Sequence, residues 1–343
     1  MPSTTSLTRN RAKEEQMASV SNIKSVQAKR EADWLVRKVL ILHYLENKSQ
    51  ADISKYLSLS AAKVNRIIRS AREDGLVEIN LNIEHADVAE YERQLVEKTN
   101  LLDATLSASV STDPSVNFKF VAETAAELLL NRLRDGDVIC VSGGKAISTL
   151  VEVIKPTRSY KVTVVPATGG VQGKYFTDVN HLAYSLAEKL GGKSYQLHAP
   201  LFADTRKDRD VLMGMQTCKE VLDLARNADI ALVGVGALAT GSESYFDLRR
   251  NMSEEECAQI RANLCEGEML AHLINVQGAS CMDRLNEKLV GLTLEELRNV
   301  PMRIGIAASE SKVVPILAAL NGNFINTLIS DENTAKQVLE HMI

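Results

Sequence analysis

No stretch of this 343-residue chain approaches the roughly 18 consecutive apolar residues that a membrane-spanning helix requires, and the opening MPSTTSLTRNRAKEEQ lacks the apolar core of a secretory signal. Both absences point to a cytoplasmic protein with no membrane partner. With only 18 Gly and 7 Pro against 45% hydrophobic residues, collagen-like, low-complexity and wholly disordered chains are excluded. The cysteines, Cys140, Cys218, Cys257, Cys265 and Cys281, are scattered without a C-x-x-C pair. That spacing supports neither a zinc knuckle nor a disulfide framework, and reduced, buried thiols are the expectation. Also missing are H-E-x-x-H, the G-x-S-x-G elbow, the phosphate loop G-x-x-x-x-G-K-[ST] and the dinucleotide fingerprint G-x-G-x-x-G. Nothing therefore calls for a metal or a cofactor, no catalytic residue stands out, and the histidines read individually as structural.

What is present is an asymmetry of charge. Residues 1–80 hold 14 Lys and Arg against 9 Asp and Glu, a net +5, while the remainder holds 26 against 35, a net −9. A small basic module ahead of a larger acidic one is the footprint of a nucleic-acid-binding head on a body with another task.

Residues 1–30 are rich in Ser, Thr, Lys and Arg with few large apolar groups, so they are read as a flexible tail. Residues 31–81 read as a helix-turn-helix domain. Leu35, Val39 and Leu42 mark the first helix, and Ile53 and Leu57 a short second one. Ser60 stands as N-cap of a third helix from Ala61 to Asp74 that stops at Gly75. At 100° per residue, Val64, Ile67, Ile68 and Ala71 share one side of the third helix, and Ala62, Asn65, Arg66 and Arg69 the other. Arg can donate twice to guanine and Asn can pair with adenine, which is what a recognition helix in the major groove needs. The same face would also suit an ordinary solvated helix; the regional charge and the short preceding turn favour DNA. Ser60, Ala62, Lys63, Asn65, Arg66 and Arg69 are the candidate DNA contacts. Leu76 to Leu81 alternates like a wing strand, and residues 82–100, with Val88, Tyr91 and Leu95, read as a linking helix.

Beyond residue 100 one unit recurs: a short apolar run, a Gly- or Ser-rich turn, then a helical stretch. The runs are Val138–Val141, Val162–Val165, Ile230–Val235, Met302–Ala307 and Phe324–Ile329. Apolar strands alternating with helices predict an α/β body, residues 101–343, with a mostly parallel sheet and its ligand at the carboxyl ends of the strands. Ser142-Gly143-Gly144-Lys145 offers backbone N–H groups, a hydroxyl and an ammonium, the chemistry a phosphate requires. Gly169-Gly170 fits a second such turn or a tight turn without a ligand.

Taken in order, several segments resemble the SorC family of sugar-responsive bacterial transcription regulators. They are Gln50-Ala51-Asp52-Ile53 through Val64-Asn65-Arg66-Ile67-Ile68, Val141 to Lys145, Ala167-Thr168-Gly169-Gly170-Val171, and Leu190-Gly191-Gly192 through Ala199-Pro200. Val233-Gly234-Val235-Gly236 and Gly305-Ile306-Ala307 through Lys312 complete the set. The resemblance runs from about residue 30 to 340. It implies a body of the sugar-isomerase and CoA-transferase type that senses a phosphorylated sugar and assembles as a tetramer, a dimer of dimers, on operator DNA. Carried over residue by residue, Gly143, Gly144 and Lys145 match the first phosphate-side loop and Gly169 with Gly170 the second. Asn180 falls in the ligand-facing segment, and Lys312 matches the effector-phosphate lysine. Ala271-His272 stands where the family often has Gly-Asp, which places His272 among the effector-facing candidates. The function these readings imply is operator binding modulated by a phosphosugar. The alternative is a sugar-phosphate isomerase-like enzyme with an accessory DNA-binding module.

Overall fold

The computed structural model describes residues 33–77, 86–111, 113–171, 178–238 and 254–342, and the chain divides into two units, Met1–Asn82 and Ile83–Ile343. The tail read at 1–30 and most of the wing strand read at 76–81 lie outside the described residues.

In the first unit, helix α1 covers 33–45, its last turn, Ile41–Leu45, widening to a π-helix. Helix α2, Gln50–Tyr56, starts at Ser49, whose side chain accepts from the Asp52 amide, and α3, Ala61–Glu73, starts at Ser60, which accepts from the Lys63 amide. Each cap satisfies one of the donors a helix start leaves unpaired. Helix α3 ends where Gly75 turns to φ +68°. Val39, Leu42, Ile53, Val64 and Ile68 form the small core that all three helices share. On its rim, Arg72 Nε donates to the Tyr44 hydroxyl at 2.7 Å, tying α3 to α1.

The second unit opens with α4, Ala86–Lys98, and β1, Asp103–Ser107. The pattern then alternates: α5 (Pro114–Arg132), β2 (Val138–Val141), α6 (Lys145–Val153), β3 (Thr163–Pro166), α7 (Val179–Leu190) and β4 (Lys193–Ser194). Next come α8 (Arg206–Gly214), α9 (Gln216–Arg226) and β5 (Ile230–Gly234). A smaller segment holds β6 (Gly236–Ala237), α10 (Glu254–Ala262), β7 (Cys265–Met269), β8 (His272–Asn275), β9 (Ser280–Cys281) and α11 (Asp283–Asn286). The chain finishes with α12 (Leu294–Arg298), β10 (Met302–Ile306), α13 (Val313–Asn321), β11 (Thr327–Asp331) and α14 (Glu332–Glu340).

Seven strands form a parallel sheet in the order β1-β11-β10-β5-β2-β3-β4. Both faces are buried, and the two-residue period of a strand sorts neighbours onto opposite faces. Ile139, Val141, Val164, Ile230, Leu232, Ile304 and Ile306 pack with α5, α6 and α7, whereas Cys140, Val165, Ala231 and Val233 pack with α4, α9, α12, α13 and α14. Every one of these strand residues is at most 3% exposed, and full burial of each Val, Leu or Ile side chain among them is worth about 1.5–3 kcal/mol.

Two elements differ from expectation. Helix α4, read as a linker, is part of the body: Val88 and Leu95 join its core, and Glu92 accepts from the Leu106 amide of β1 at 2.8 Å. A second sheet, antiparallel in the order β6-β7-β8-β9, stands beside the parallel one. Among the described residues no helix is long and apolar enough to cross a membrane.

Candidate functional site

The sheet order fixes where a ligand can sit. From β2 the chain moves outward through β3 to β4, then returns to lay β5 on the other side of β2. The loops leaving β2 and β5 therefore diverge in opposite directions and open a crevice at the carboxyl ends of the strands. A cavity of about 550 Å³ lies there. It is lined by Ser142–Ala146 after β2, Gly234–Gly236 after β5, and Ile306–Ser309 with Ser311 and Lys312 after β10. The start of α5 and Glu268 with Leu270 from the β7 hairpin close the other walls.

The β2 loop turns into α6 through Gly144, the N-cap, at φ +106°, a conformation that glycine alone adopts without strain. Helix α6 thus presents its positive end to the cavity beside Lys145. From β10, Ser309 leads through a single 3-10 turn, Glu310–Lys312, into α13. Desolvation holds the Lys312 ammonium below its usual range; Glu268 opposes that shift and Lys145 adds to it. Two lysines from different loops therefore act on one space, and a buried carboxylate, Glu268 at 6% exposure, acts on it as well. A dianion would relieve the crowding of positive charge. The carboxylate is an acceptor for hydroxyl groups.

Gly143, Gly144, Lys145 and Lys312 are thus brought together. Gly169, Gly170, Asn180 and His272 do not line this cavity. The Gly169 amide donates to Val290 and the Gly170 amide to Ala199, so neither is offered to an anion. Gly169 is required by space, since a Cβ there would stand 2.3 Å from the Pro200 carbonyl oxygen. Asn180 spends its side chain on Leu197, accepting from the amide at 2.8 Å and donating to the carbonyl at 3.3 Å. His272 is 6% exposed, with Nδ1 3.1 Å from the Leu270 carbonyl, and burial lowers its pKa to about 4. It is a neutral core histidine. A buried acid that fronts the cavity, Glu268, lies four residues before His272, in Gly267-Glu268. Ser142, whose hydroxyl belongs to the candidate phosphate loop, and Thr168 line the cavity as well, together with Asp113 and Ser115, to which no motif pointed. The polar Gly-Glu pair inside a short strand was the signal available for Glu268.

In the head unit, Ser60, Ala62, Lys63, Asn65, Arg66 and Arg69 are all exposed, while Val64, Ile68 and Ala71 are buried. Arg69 Nε donates to Glu73 at 2.8 Å one turn on, so its guanidinium already has a partner on the helix. Arg66, Asn65 and Lys63 present the remaining polar face.

Comparison with known proteins agrees with both units. A family model described as "Putative sugar-binding domain" matches residues 84–340, and one described as "Sigma-70, region 4" matches residues 34–74. The sorbitol operon regulator of Klebsiella pneumoniae is 28% identical over 309 residues, covering 89% of this chain and 98% of that protein. The transcriptional regulator LsrR of Escherichia coli (strain K12) is 26% identical over 306 residues, 89% of this chain and 94% of the other. The crystal structure of the full-length Klebsiella sorbitol operon regulator SorC superposes with a TM-score of 0.70 at 28% identity, covering 90% of this chain and 99% of that one. A helix-turn-helix head, a matched sugar-binding body and a full-length structural counterpart place the chain in one group: it belongs to the SorC family of sugar-responsive transcription regulators.

Proposed function

We propose that this chain is a cytoplasmic regulator of a carbohydrate catabolic operon, in which α3 reads operator DNA and the body binds a phosphorylated sugar that changes operator affinity. The observation that carries the effector reading is the convergence of Lys145, Lys312 and the Gly143-Gly144 loop on a cavity that also holds Glu268. Phosphate suits the lysines and the start of α6, and sugar hydroxyls suit the carboxylate. At about 550 Å³ the cavity lies within the range of roughly 300–1,000 Å³ usual for small-molecule sites. One head reads only a few base pairs, so the working form is a homo-oligomer, a tetramer by family resemblance, that brings heads to paired half-sites.

A fluorescence anisotropy titration of operator DNA, with and without a panel of sugar monophosphates and their unphosphorylated parents, tests this reading. At least one phosphorylated sugar shifts operator affinity and its parent does not. Thermal shift supports the assignment, since a ligand at 100 times its dissociation constant adds about 2.7 kcal/mol of stability. A complete panel without effect on either readout refutes the effector assignment.

A sugar-phosphate isomerase with a DNA-binding accessory is favoured by one observation, the carboxylate of Glu268 in the same cavity, where a proton-transfer base would stand. The relatives named above are called regulators, which favours binding over turnover. Conversion of an aldose phosphate followed by NMR decides between them.

A further inference from the structure

Ser309, on the cavity wall, adopts φ +117° and ψ 159°, a conformation that a residue with a side chain keeps only when its surroundings impose it. The imposition is visible. The Ser309 amide donates to Thr334 Oγ1 at 2.9 Å, and the Thr334 hydroxyl in turn donates to Asp331 Oδ2 at 3.0 Å. Asp331 Oδ1 accepts from the Thr334 amide at 2.8 Å and from Ser109 Oγ at 3.4 Å. Ser109 Oγ also accepts from the Asn333 amide at 3.3 Å. Thr334 is 1% and Asp331 5% exposed, so the bonds between these two residues are shielded from competing water. Beyond the strained residue, the Lys312 amide donates to the Ser309 carbonyl at 2.9 Å, which starts the turn that carries the Lys312 ammonium.

We propose that Thr334 is a positioning residue for the effector site: through its hydroxyl it holds the strained Ser309 backbone and so places Lys312 at the cavity. Thr334 does not line the cavity, and its role is exerted through Ser309. The hydroxyl is used in both directions, as acceptor from Ser309 and donor to Asp331. A methyl group in its place leaves the Ser309 amide without its acceptor while keeping the bond from the Thr334 amide to Asp331, the N-cap of α14. The loop can then relax out of the left-handed region, and the turn ahead of Lys312 goes with it. This inference rests on the phosphosugar reading above for its functional meaning, but not for its structural content.

The test uses the full-length protein and the variants Thr334→Val and Thr334→Ser, with inorganic phosphate, glucose 6-phosphate, fructose 6-phosphate, ribose 5-phosphate and glyceraldehyde 3-phosphate as probes. Hydrogen exchange reads the loop without any ligand. In the wild-type protein the Ser309 amide exchanges at least about a hundredfold more slowly than an unprotected amide. Thr334→Val removes at least about tenfold of that protection, and Thr334→Ser retains it. Calorimetry with the probe that binds the wild type gives an affinity about tenfold or more weaker in Thr334→Val, about 1.4 kcal/mol, and restored in Thr334→Ser. An unprotected Ser309 amide in the wild type overturns the proposal even if the valine variant fails to fold. So does equal protection, or equal affinity, in the wild type and a folded Thr334→Val. If the loop behaves as described but the wild type binds none of the probes, the phosphosugar reading fails and the positioning role in effector binding falls with it; the exchange data show that the phosphosugar reading is what failed.

Discussion

A single buried imidazole gives the clearest pH signature of this chain. Burial disfavours the charged form of His272 and lowers its pKa to about 4, whereas in the unfolded chain it titrates near 6.5. As pH falls the unfolded state takes up this proton first, so the stability associated with the neutral ring is complete above about pH 6.5 and is lost between about 6.5 and 4. At about 1.4 kcal/mol per unit, roughly 3 kcal/mol is at stake. Denaturant unfolding at pH 7 and pH 4.5 should show that loss in the wild type and a smaller one in His272→Gln; equal losses would remove His272 as the cause. Lys312 behaves in the reverse functional sense. Desolvation holds its ammonium below the usual range, and a phosphate dianion beside it favours the charged form again. In the pH range where Lys312 titrates, binding of a sugar phosphate should therefore take up protons. Calorimetry in buffers of different ionisation enthalpy measures that uptake, and it should disappear in Lys312→Met.

Among the elements, α3 carries the most direct prediction. Arg66 is exposed opposite Val64 and Ile68 with no carboxylate partner among the described residues, whereas Arg69 is already paired with Glu73. Arg66→Ala should weaken operator binding by about 1–3 kcal/mol and relax discrimination at one base position, while Arg69→Ala costs less because its bond to Glu73 must first be broken. Anisotropy on the operator and on single-base variants checks both, and unchanged binding in Arg66→Ala would rule out α3 as the reading element. The same helix shows what a sequence can reveal. Ser60, the apolar stripe and Gly75 are local signals, and each corresponds to a feature of the folded helix. The inner parallel strands were legible for a related reason: burial on both faces demands unbroken apolar runs such as Val138–Val141 and Ile230–Val235. Strand β1, Asp103–Ser107, lies at the sheet edge and alternates, so it carried no such run. Strands β6 and β9 have two residues each, and β7 interrupts its register between Cys265 and Gly267, so the small sheet left no periodicity to read. Glu268 was overlooked for that reason. At Gly169-Gly170 and Asn180 the sequence leaves two readings open, because turn chemistry looks alike whether its amides face a ligand or a neighbouring strand. Only tertiary contacts with Ala199, Val290 and Leu197 distinguish the two.

At the scale of the whole molecule the chain separates two chemistries. The basic head holds its candidate DNA contacts before Asn80, and the acidic body holds its cavity beyond residue 112. Regulation then consists of a coupling free energy between them, typically about 1–3 kcal/mol in such systems. Helix α4 is the element that follows the head in sequence, and it packs on β1 and α14 within the body. Its place in the body core means that a change around α14 can reach the start of the body without passing through a flexible linker. Lys312→Ala separates binding from coupling. Removing a charged hydrogen bond, worth about 1.5–3 kcal/mol, should weaken sugar-phosphate binding more than tenfold. Operator affinity without effector should be unchanged, because Lys312 belongs to the body whereas the candidate DNA contacts belong to the head. Paired titrations, calorimetry for the sugar phosphate and anisotropy for the operator, read both quantities in wild type and variant. Equal effector affinities would refute the phosphate role of Lys312, and loss of ligand-free operator binding would show that the substitution disturbs folding or assembly. With both expected outcomes, the variant at effector concentrations saturating the wild type should bind operator as the ligand-free wild type does, and raising the effector further should recover the shift.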